Sequence, residues 1–381
     1  MFAIQRLEAI RLNYHEVCWD ILLPPNSIFK SFYTIYINNN PYTTSFVGDA
    51  LLIKIIYNPI GGGGMNWDRM KHVRSLLEDK GVTFEYYETT FEMRGDAMAR
   101  LVAKDGDIIG IAGGDGTIHE VISATYDMDL TYVLLPFGSG NDTARSAGVF
   151  NYTDEDIVNA FTNGTERPIP YWVANDMVFV QTLSFGTIVD INMIADEYIE
   201  NLMSKMTGNT TTAIIRRYID VTKTLMSSMI HSILNGELSF VKVAKSKDYR
   251  RIALKAVAKC KAKKYTITYD GVTRDVESIL LSVQNVEYMG GGLNLCPNAA
   301  IDSADLIVLN VNKKSKYRYV MNLVAMSSGK IETQKNVEYF KAKSVTVKSD
   351  EITHMIVDGE TLKFDGSIEV KPGDHKLIVR V

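Results

Sequence analysis

From position 51 onward, short apolar runs alternate with apolar positions at helical spacing, and the changes of period fall at glycine-rich turns. Residues 51–57 form an apolar run that leads into Asn58-Pro59-Ile60-Gly61-Gly62-Gly63-Gly64. Asn66 stands where an N-cap is needed, so the pattern predicts a helix over 67–79, ended by Lys80-Gly81, and a second strand over 82–87. A helix over 94–103 and a third strand over 107–112 follow, and that strand enters Gly113-Gly114-Asp115-Gly116-Thr117. Thr117 reads as the cap of the next helix. A fourth run, 132–135, opens into Pro136-Phe137-Gly138-Ser139-Gly140-Asn141-Asp142, where Asn141 or Asp142 caps another helix start. Strands and helices alternating at these lengths predict a parallel sheet with right-handed crossovers. The glycine turns then lie beyond the carboxyl ends of the strands, where such sheets bind ligands.

Beyond Arg167 the pattern becomes that of β structure: 171–174, 179–185 and 264–269, then an Asp270-Gly271 hairpin signal with 278–283 as its return or as the next strand. Further runs occupy 306–311, 344–348, 353–357 and 376–381. Between these strands, 212–234 reads as an amphipathic helix whose Met and Leu positions are core. The expected organisation is an extension of unassigned role over 1–49, an α/β nucleotide-binding domain over 50–166, and a mostly antiparallel β domain over 167–381 whose last segment returns to the first domain.

The turn at 113–117 is the working part. Gly113, Gly114 and Gly116 carry no Cβ, so backbone can lie directly against a ligand, and the amides of the following helix point into the turn. That is a phosphate cradle. A bare Asp115 carboxylate beside phosphates is repulsive unless a divalent cation or a metal-bound water lies between them. Three turns of one design at successive strand ends make a phosphate-bearing ligand the expectation.

Composition narrows the partners. The 381 residues are 46% hydrophobic and 23% charged, which suits a globular chain of two domains. A net charge of -4 argues against nucleic acid held by bulk electrostatics. Cys18, Cys260 and Cys296 are too few and too scattered for a disulfide framework or a zinc cluster, which fits a reducing, cytoplasmic setting. No apolar run approaches the roughly 20 residues that cross a bilayer. The first ten residues, with Arg6 and Glu8, lack a signal-peptide core, so membrane contact is expected to be peripheral. Basic residues cluster over 242–264, read as a solvated strand face rather than a lipid-binding surface. His119 and His354 read as structural.

From about residue 51 to its end, the chain resembles the diacylglycerol kinase catalytic-domain family, which includes sphingosine and ceramide kinases and bacterial lipid kinases. The resemblance rests on Gly113-Gly114-Asp115-Gly116-Thr117 with Glu120, and on Pro136-Phe137-Gly138-Ser139-Gly140-Asn141-Asp142 with Ala144-Arg145. Asn285, Gly290-Gly291-Gly292, Pro297 and Asp358-Gly359-Glu360 follow in the family's order. It implies an α/β domain, a β-sandwich domain, an active site between them, and ATP and Mg2+ as cofactors. A membrane lipid is the implied acceptor, and a homodimer is compatible with it. Carried over by motif, Asn58, Gly61, Gly62, Asp115, Thr117, Gly138, Ser139, Asn141 and Asp142 face the nucleotide, Asp115 serves the metal, and Glu120 and Glu360 are supporting carboxylates.

The chain departs from the family at the expected general base. After Pro297, Ser303-Ala304 stand in place of the family's Asp-Gly. Serine cannot serve as that base unaided, and Asp302 substitutes only if the loop turns differently. Asp115, Asp302, Ser303 and Glu360 are thus the positions at which the chemical step is sought. Gly61 also replaces the family's Ser in the first turn, which loses one hydroxyl. The reading favoured is an ATP-dependent kinase of diacylglycerol or a similar lipid. The alternatives are a nucleotide-binding pseudokinase and a soluble-substrate kinase of the NAD-kinase type, which Asn141-Asp142 disfavour.

Overall fold

The structure, a computed structural model, describes residues 52–64, 66–90, 93–190, 192–193, 261–314, 322, 325 and 328–381. The extension over 1–49, the amphipathic stretch 212–234 and most of the basic cluster lie outside the described residues.

Four strands run side by side in the first part of the fold. β1 (Ile53–Tyr57), β2 (Phe84–Glu88), β3 (Ile108–Gly113) and β4 (Thr131–Pro136) pair in parallel in the order β2-β1-β3-β4. β1 and β3 are buried along their whole length, as a sheet covered on both faces requires. Helices α1 (Trp67–Asp79) and α5 (Asp154–Asn163) cover one face, packing Met70, Val73, Leu77, Ile157 and Phe161 on Ile55, Val133 and Leu135. Helices α2 (Gly95–Val102) and α3 (Asp115–Thr125) cover the other, packing Met98, Val121 and Ile122 on Ile56, Ile109 and Ile111. The short helix α4 (Asp142–Ser146) follows the turn after β4.

The remaining strands build an antiparallel β-sandwich. They are β5 (Glu166–Ala174), β6 (Met177–Phe179), β7 (Thr182–Gly186), β8 (Lys263–Tyr269), β9 (Val272–Gln284), β10 (Tyr288–Met289), β11 (Leu293–Asn294), β12 (Leu306–Asn312), β13 (Val337–Ala342), β14 (Val345–Lys348), β15 (His354–Val357), β16 (Glu360–Lys363) and β17 (Ser367–Arg380). Trp172, Phe185, Tyr265, Val283, Val308 and Val347 form its core. The β8–β9 hairpin turns on Asp270 and Gly271, both left-handed at φ 45 and 84, as an Asp-Gly type I′ turn requires.

β17 joins the two parts. Its beginning pairs antiparallel with β14, its length follows β5, and Ile378 and Val379 pair in parallel with Thr131 and Tyr132 of β4. The run over 376–381 is thus the end of a fourteen-residue strand. Residues 179–185, expected as one strand, are two. The chain bends at Val180 and Gln181, whose amides, with that of Thr182, donate to the Asp358 carboxylate at 2.8, 2.8 and 2.9 Å. A carboxylate that takes three successive amides removes them from any ladder.

Candidate active site

The turns after β1, β3 and β4 meet, the first through asparagine side chains and the other two backbone to backbone. Asn58 donates from Nδ2 to Thr117 Oγ1 at 3.0 Å, linking the first turn to the second. Asn66 donates from Nδ2 to the Phe137 carbonyl at 2.6 Å, linking the first to the third. The second and third turns approach so closely that a Cβ on Gly138 would stand 2.1 Å from Gly114 Cα. Glycine is required there for proximity.

These contacts correct three expected caps. Thr117 lies inside α3, whose N-cap is Gly114, and its hydroxyl serves Asn58. Asn66 occupies the N-cap of α1 without a side-chain cap bond, because its amide reaches Phe137. Asn141 is left-handed at φ 54 and folds its side chain back: Oδ1 accepts from Gly138 N at 2.9 Å and Nδ2 donates to Gly138 O at 2.8 Å, closing the third turn on itself. Asp142 caps no helix either, since both of its oxygens are engaged by another loop.

At the centre of the cluster is Asp115. Its Oδ1 accepts from Thr143 N at 2.9 Å, Thr143 Oγ1 at 3.0 Å and Gln181 Nε2 at 2.8 Å, and its Oδ2 accepts from Asp142 N at 3.1 Å. The carboxylate therefore ties the turn after β3 to the start of α4 and to the bend between β6 and β7. Beside it, Asp142 accepts from Gly291 N and Gly292 N, each at 2.7 Å. Gly290, Gly291 and Gly292 are all left-handed, at φ 67, 85 and 101, and this curls the β10–β11 hairpin so that two amides face one carboxylate. Burial, then the neighbouring Asp115 charge, push the Asp142 carboxyl up to about 7, against the pull of the two glycine amides and Arg145.

Other expected site residues sit one step away. Glu120 accepts from Gly95 N at 2.9 Å and pairs with Arg94 at 2.5 Å, so it holds the start of α2. Burial raises its carboxyl pKa despite Arg94. Glu360 opens β16 after the Asp358-Gly359 turn, and its charge acts on both Arg94 and His119. Asp302 is exposed and committed to Arg167 at 2.7 Å, whose hydrogen bond holds its carboxyl below the usual range. Ser303 Oγ accepts from Asp305 N at 3.0 Å, so it closes its own turn. Neither residue presents a free base, because Asp302 is paired outward and the Ser303 hydroxyl is spent locally. Ser139 lies in the third turn, and Gly61 begins a 3-10 turn with Gly62 in the first.

Three contributors escaped the sequence reading. Gln181 lies in a β segment with no motif around it, Thr143 is a helix-start residue between two marked positions, and Asp358 is marked only as part of the Asp358-Gly359-Glu360 stretch that follows the family's order. What unites them is contact across 66 residues for Gln181–Asp115 and 176 for Thr182–Asp358, a separation that leaves no local pattern.

His119 donates from Nδ1 to Asp358 Oδ2 at 3.1 Å. Burial on its own would lower the His119 pKa, but the hydrogen bond and charge of Asp358, then Glu360 and Glu120, outweigh it and raise it above the ordinary value. A pKa raised in the folded state contributes stability that is present below the unfolded pKa, about 6.5 for histidine, and is lost as pH rises through the folded value. The melting-temperature advantage of wild type over His119→Gln is thus expected to be largest near pH 6 and to shrink toward pH 9. An advantage that grows with pH would contradict the pairing.

An α/β unit with clustered glycine turns, followed by a β-sandwich, defines the diacylglycerol and NAD kinase type of fold. Two family models match the chain, the diacylglycerol kinase catalytic domain over residues 53–173 and the YegS C-terminal NAD kinase beta sandwich-like domain over 230–379. The chain belongs to the bacterial-type diacylglycerol kinase family, and is a lipid/NAD-kinase-like kinase. It is 24% identical over 316 residues to a diacylglycerol kinase of Bacillus subtilis (strain 168), covering 81% of this chain and 89% of that one. With a diacylglycerol kinase of Staphylococcus haemolyticus (strain JCSC1435) it shares 26% over 312 residues, 81% of each chain. A crystal structure of a diacylglycerol kinase from Bacillus anthracis str. Sterne superposes with a TM-score of 0.60 over 87% of this chain and 97% of that one at 17% identity, a likeness of fold.

Proposed function

We propose that the protein transfers the γ-phosphoryl group of ATP to the hydroxyl of diacylglycerol or a related lipid alcohol, giving a phosphatidic acid-type product. The observation that carries this reading is the meeting of three glycine turns at one sheet edge, with the Asp115 carboxylate of the second bonded to the helix start after the third, in a chain of this family. Phosphoryl transfer needs positioning and charge neutralisation more than covalent chemistry from the protein. The turns provide backbone where phosphates lie. Gly116 is exposed, and a Cβ built there meets nothing within 4 Å, so a phosphate has room against the start of α3.

The residues also fit a nucleotide-borne Mg2+. That ion is usually held by one or two carboxylates, with phosphates and waters completing its octahedron. Asp115 Oδ1 is filled by three donors, whereas Oδ2 takes one and keeps a lone pair, so Oδ2 is the atom that would hold the ion. When bound, the ion neutralises charge on the transferred group. Among the described residues no group of three or more His, Cys, Asp or Glu is arranged to cage a metal by itself. No helix among them is long and apolar enough to cross a membrane, so the lipid is met at the bilayer surface.

A second reading, nucleotide binding without turnover, is favoured by one observation: at 302 and 303 a carboxylate is tied to Arg167 and a hydroxyl to its own turn. One experiment separates the two. Wild-type protein with γ-labelled ATP and lipid vesicles is expected to form labelled phospholipid, and Ser303→Asp to raise kcat by about 10–100-fold. ATP binding with no labelled lipid from wild type, and turnover appearing only in Ser303→Asp, would replace the kinase by the second reading.

A further inference from the structure

We propose that the acylated glycerol end of the acceptor binds in a recess of hydroxyl and amide groups on β7 and β9 that Met289 plugs when no lipid is present. This rests on the kinase reading above. Thr182 pairs across the strands with Gln284, and Ser184 with Ser282, so four polar side chains stand on one face of the sheet. All four are buried, at 1% exposure or less. Their cross-strand neighbours on that face are apolar: Ile356 beside Ser184, Leu309 beside Ser282 and Ile307 beside Gln284. A polar square set into an apolar layer costs folding free energy unless every group finds a partner.

These groups are satisfied only in part, mostly by one another, with Ser282 Oγ also 3.4 Å from the Leu183 carbonyl. Ser282 Oγ is 2.5 Å from both Ser184 Oγ and Gln284 Nε2, and Thr182 Oγ1 is 3.1 Å from Ser184 Oγ. Beyond that, Thr182 Oγ1, Ser184 Oγ and Gln284 Nε2 converge on Met289 Sδ at 3.8, 3.7 and 3.8 Å. A thioether is a weak acceptor. Gln284 Oε1 is buried with no partner at all. Three polar atoms facing one sulfur, beside one orphaned acceptor, describe a place where an oxygen-bearing group would be bound better than the side chain that fills it. Methionine, unbranched and with three rotatable bonds, is displaced by a change of rotamer alone.

Position links the recess to the chemistry. Thr182 follows Gln181, whose amide group holds Asp115, and Met289 precedes the glycine triplet held by Asp142. The lining sets the ligand class. The four side chains are uncharged; the hydroxyl and amide donors that face Met289 suit an ester carbonyl, and the unpartnered Gln284 Oε1 suits a neighbouring glycerol hydroxyl. A cationic amino-alcohol would lose its hydration here without gaining a counter-charge.

The test uses the full chain with a short-chain diacylglycerol and a sphingoid base as rival acceptors, and ATP titrated in parallel. Ser282→Ala and Gln284→Leu are expected to raise KM for diacylglycerol about tenfold or more, the loss of one or two neutral hydrogen bonds, with kcat and KM for ATP within about twofold. Met289→Ala, which removes the plug, should lower that KM severalfold. Calorimetric titration of the same diacylglycerol, without ATP, should show the same order of affinities. Unchanged lipid KM and affinity in Ser282→Ala and Gln284→Leu proteins that melt like wild type would overturn the recess, as would a wild-type preference for the sphingoid base. Diacylglycerol binding that these variants weaken, in a wild type that transfers no phosphate, would instead keep the recess and remove the kinase reading.

Discussion

Asp115→Ala is expected to lower phosphoryl transfer by about 10³-fold or more while raising the Kd for ATP by no more than about tenfold. The asymmetry follows from what Asp115 holds. Its oxygens receive four hydrogen bonds, from Asp142 N, from Thr143 N and Oγ1, and from Gln181 Nε2, so its loss frees the start of α4 and the β6–β7 bend from the turn after β3. Hydrogen bonds to a charged acceptor each contribute about 1.5–3 kcal/mol, and misplacement of the order of an ångström is enough to cost a transfer step about a hundredfold. On the proposed function, ATP is gripped mainly by backbone amides that the substitution leaves in place. Single-turnover rates and equilibrium ATP titration on the variant check the two halves. Transfer within about fivefold of wild type would remove Asp115 from the centre of the site.

The second large effect belongs to Gly138. A methyl group there would lie 2.1 Å from Gly114 Cα and 2.8 Å from Gly114 N, and both contacts are backbone, which has no rotamer to escape into. Gly138→Ala must therefore push the second and third turns apart. The expected cost is about 2–3 kcal/mol of stability. At about 1–1.5 °C per kcal/mol for a chain of 381 residues, that is a melting temperature lower by about 2–4 °C. Loss of ATP affinity by tenfold or more should accompany it. Gly116→Ala is the control, because a Cβ at 116 meets nothing. It should melt like wild type, and a weaker ATP affinity in that variant would come from the ligand side alone. If Gly138→Ala melts and binds ATP as wild type does, the turns are not in backbone contact.

Much of this site is legible in the residue order, because its ingredients are local. Apolar strands that end in Gly61-Gly62, Gly113-Gly114 and Gly138-Ser139-Gly140 place three flexible turns on one sheet edge, and the parallel pairing of β1, β3 and β4 brings them together. Helix capping misled the reading at Thr117, while at Asn66 and Asn141 it gave the N-cap position but not the side chain's partner. Those side chains have cap chemistry, but partners in neighbouring turns compete for it and win. The links that rigidify the site were invisible for a different reason. Gln181 reaches Asp115, Asp358 gathers the amides of 180–182, and Arg167 claims Asp302, each across tens to hundreds of positions. The first half of β17 was missed because Ser367, Glu369 and Lys371 break its apolar run, although Ile368 and Val370 keep the alternation of a one-sided strand.

Backbone amide hydrogen exchange with and without ATP and Mg2+ puts the central claim, a triphosphate held on the converging turns, to the most direct test. Slower exchange is predicted at residues 58–62, 113–117 and 138–143, with the far strands of the sandwich unchanged. Protection confined to other segments, or none at saturating nucleotide, would contradict it.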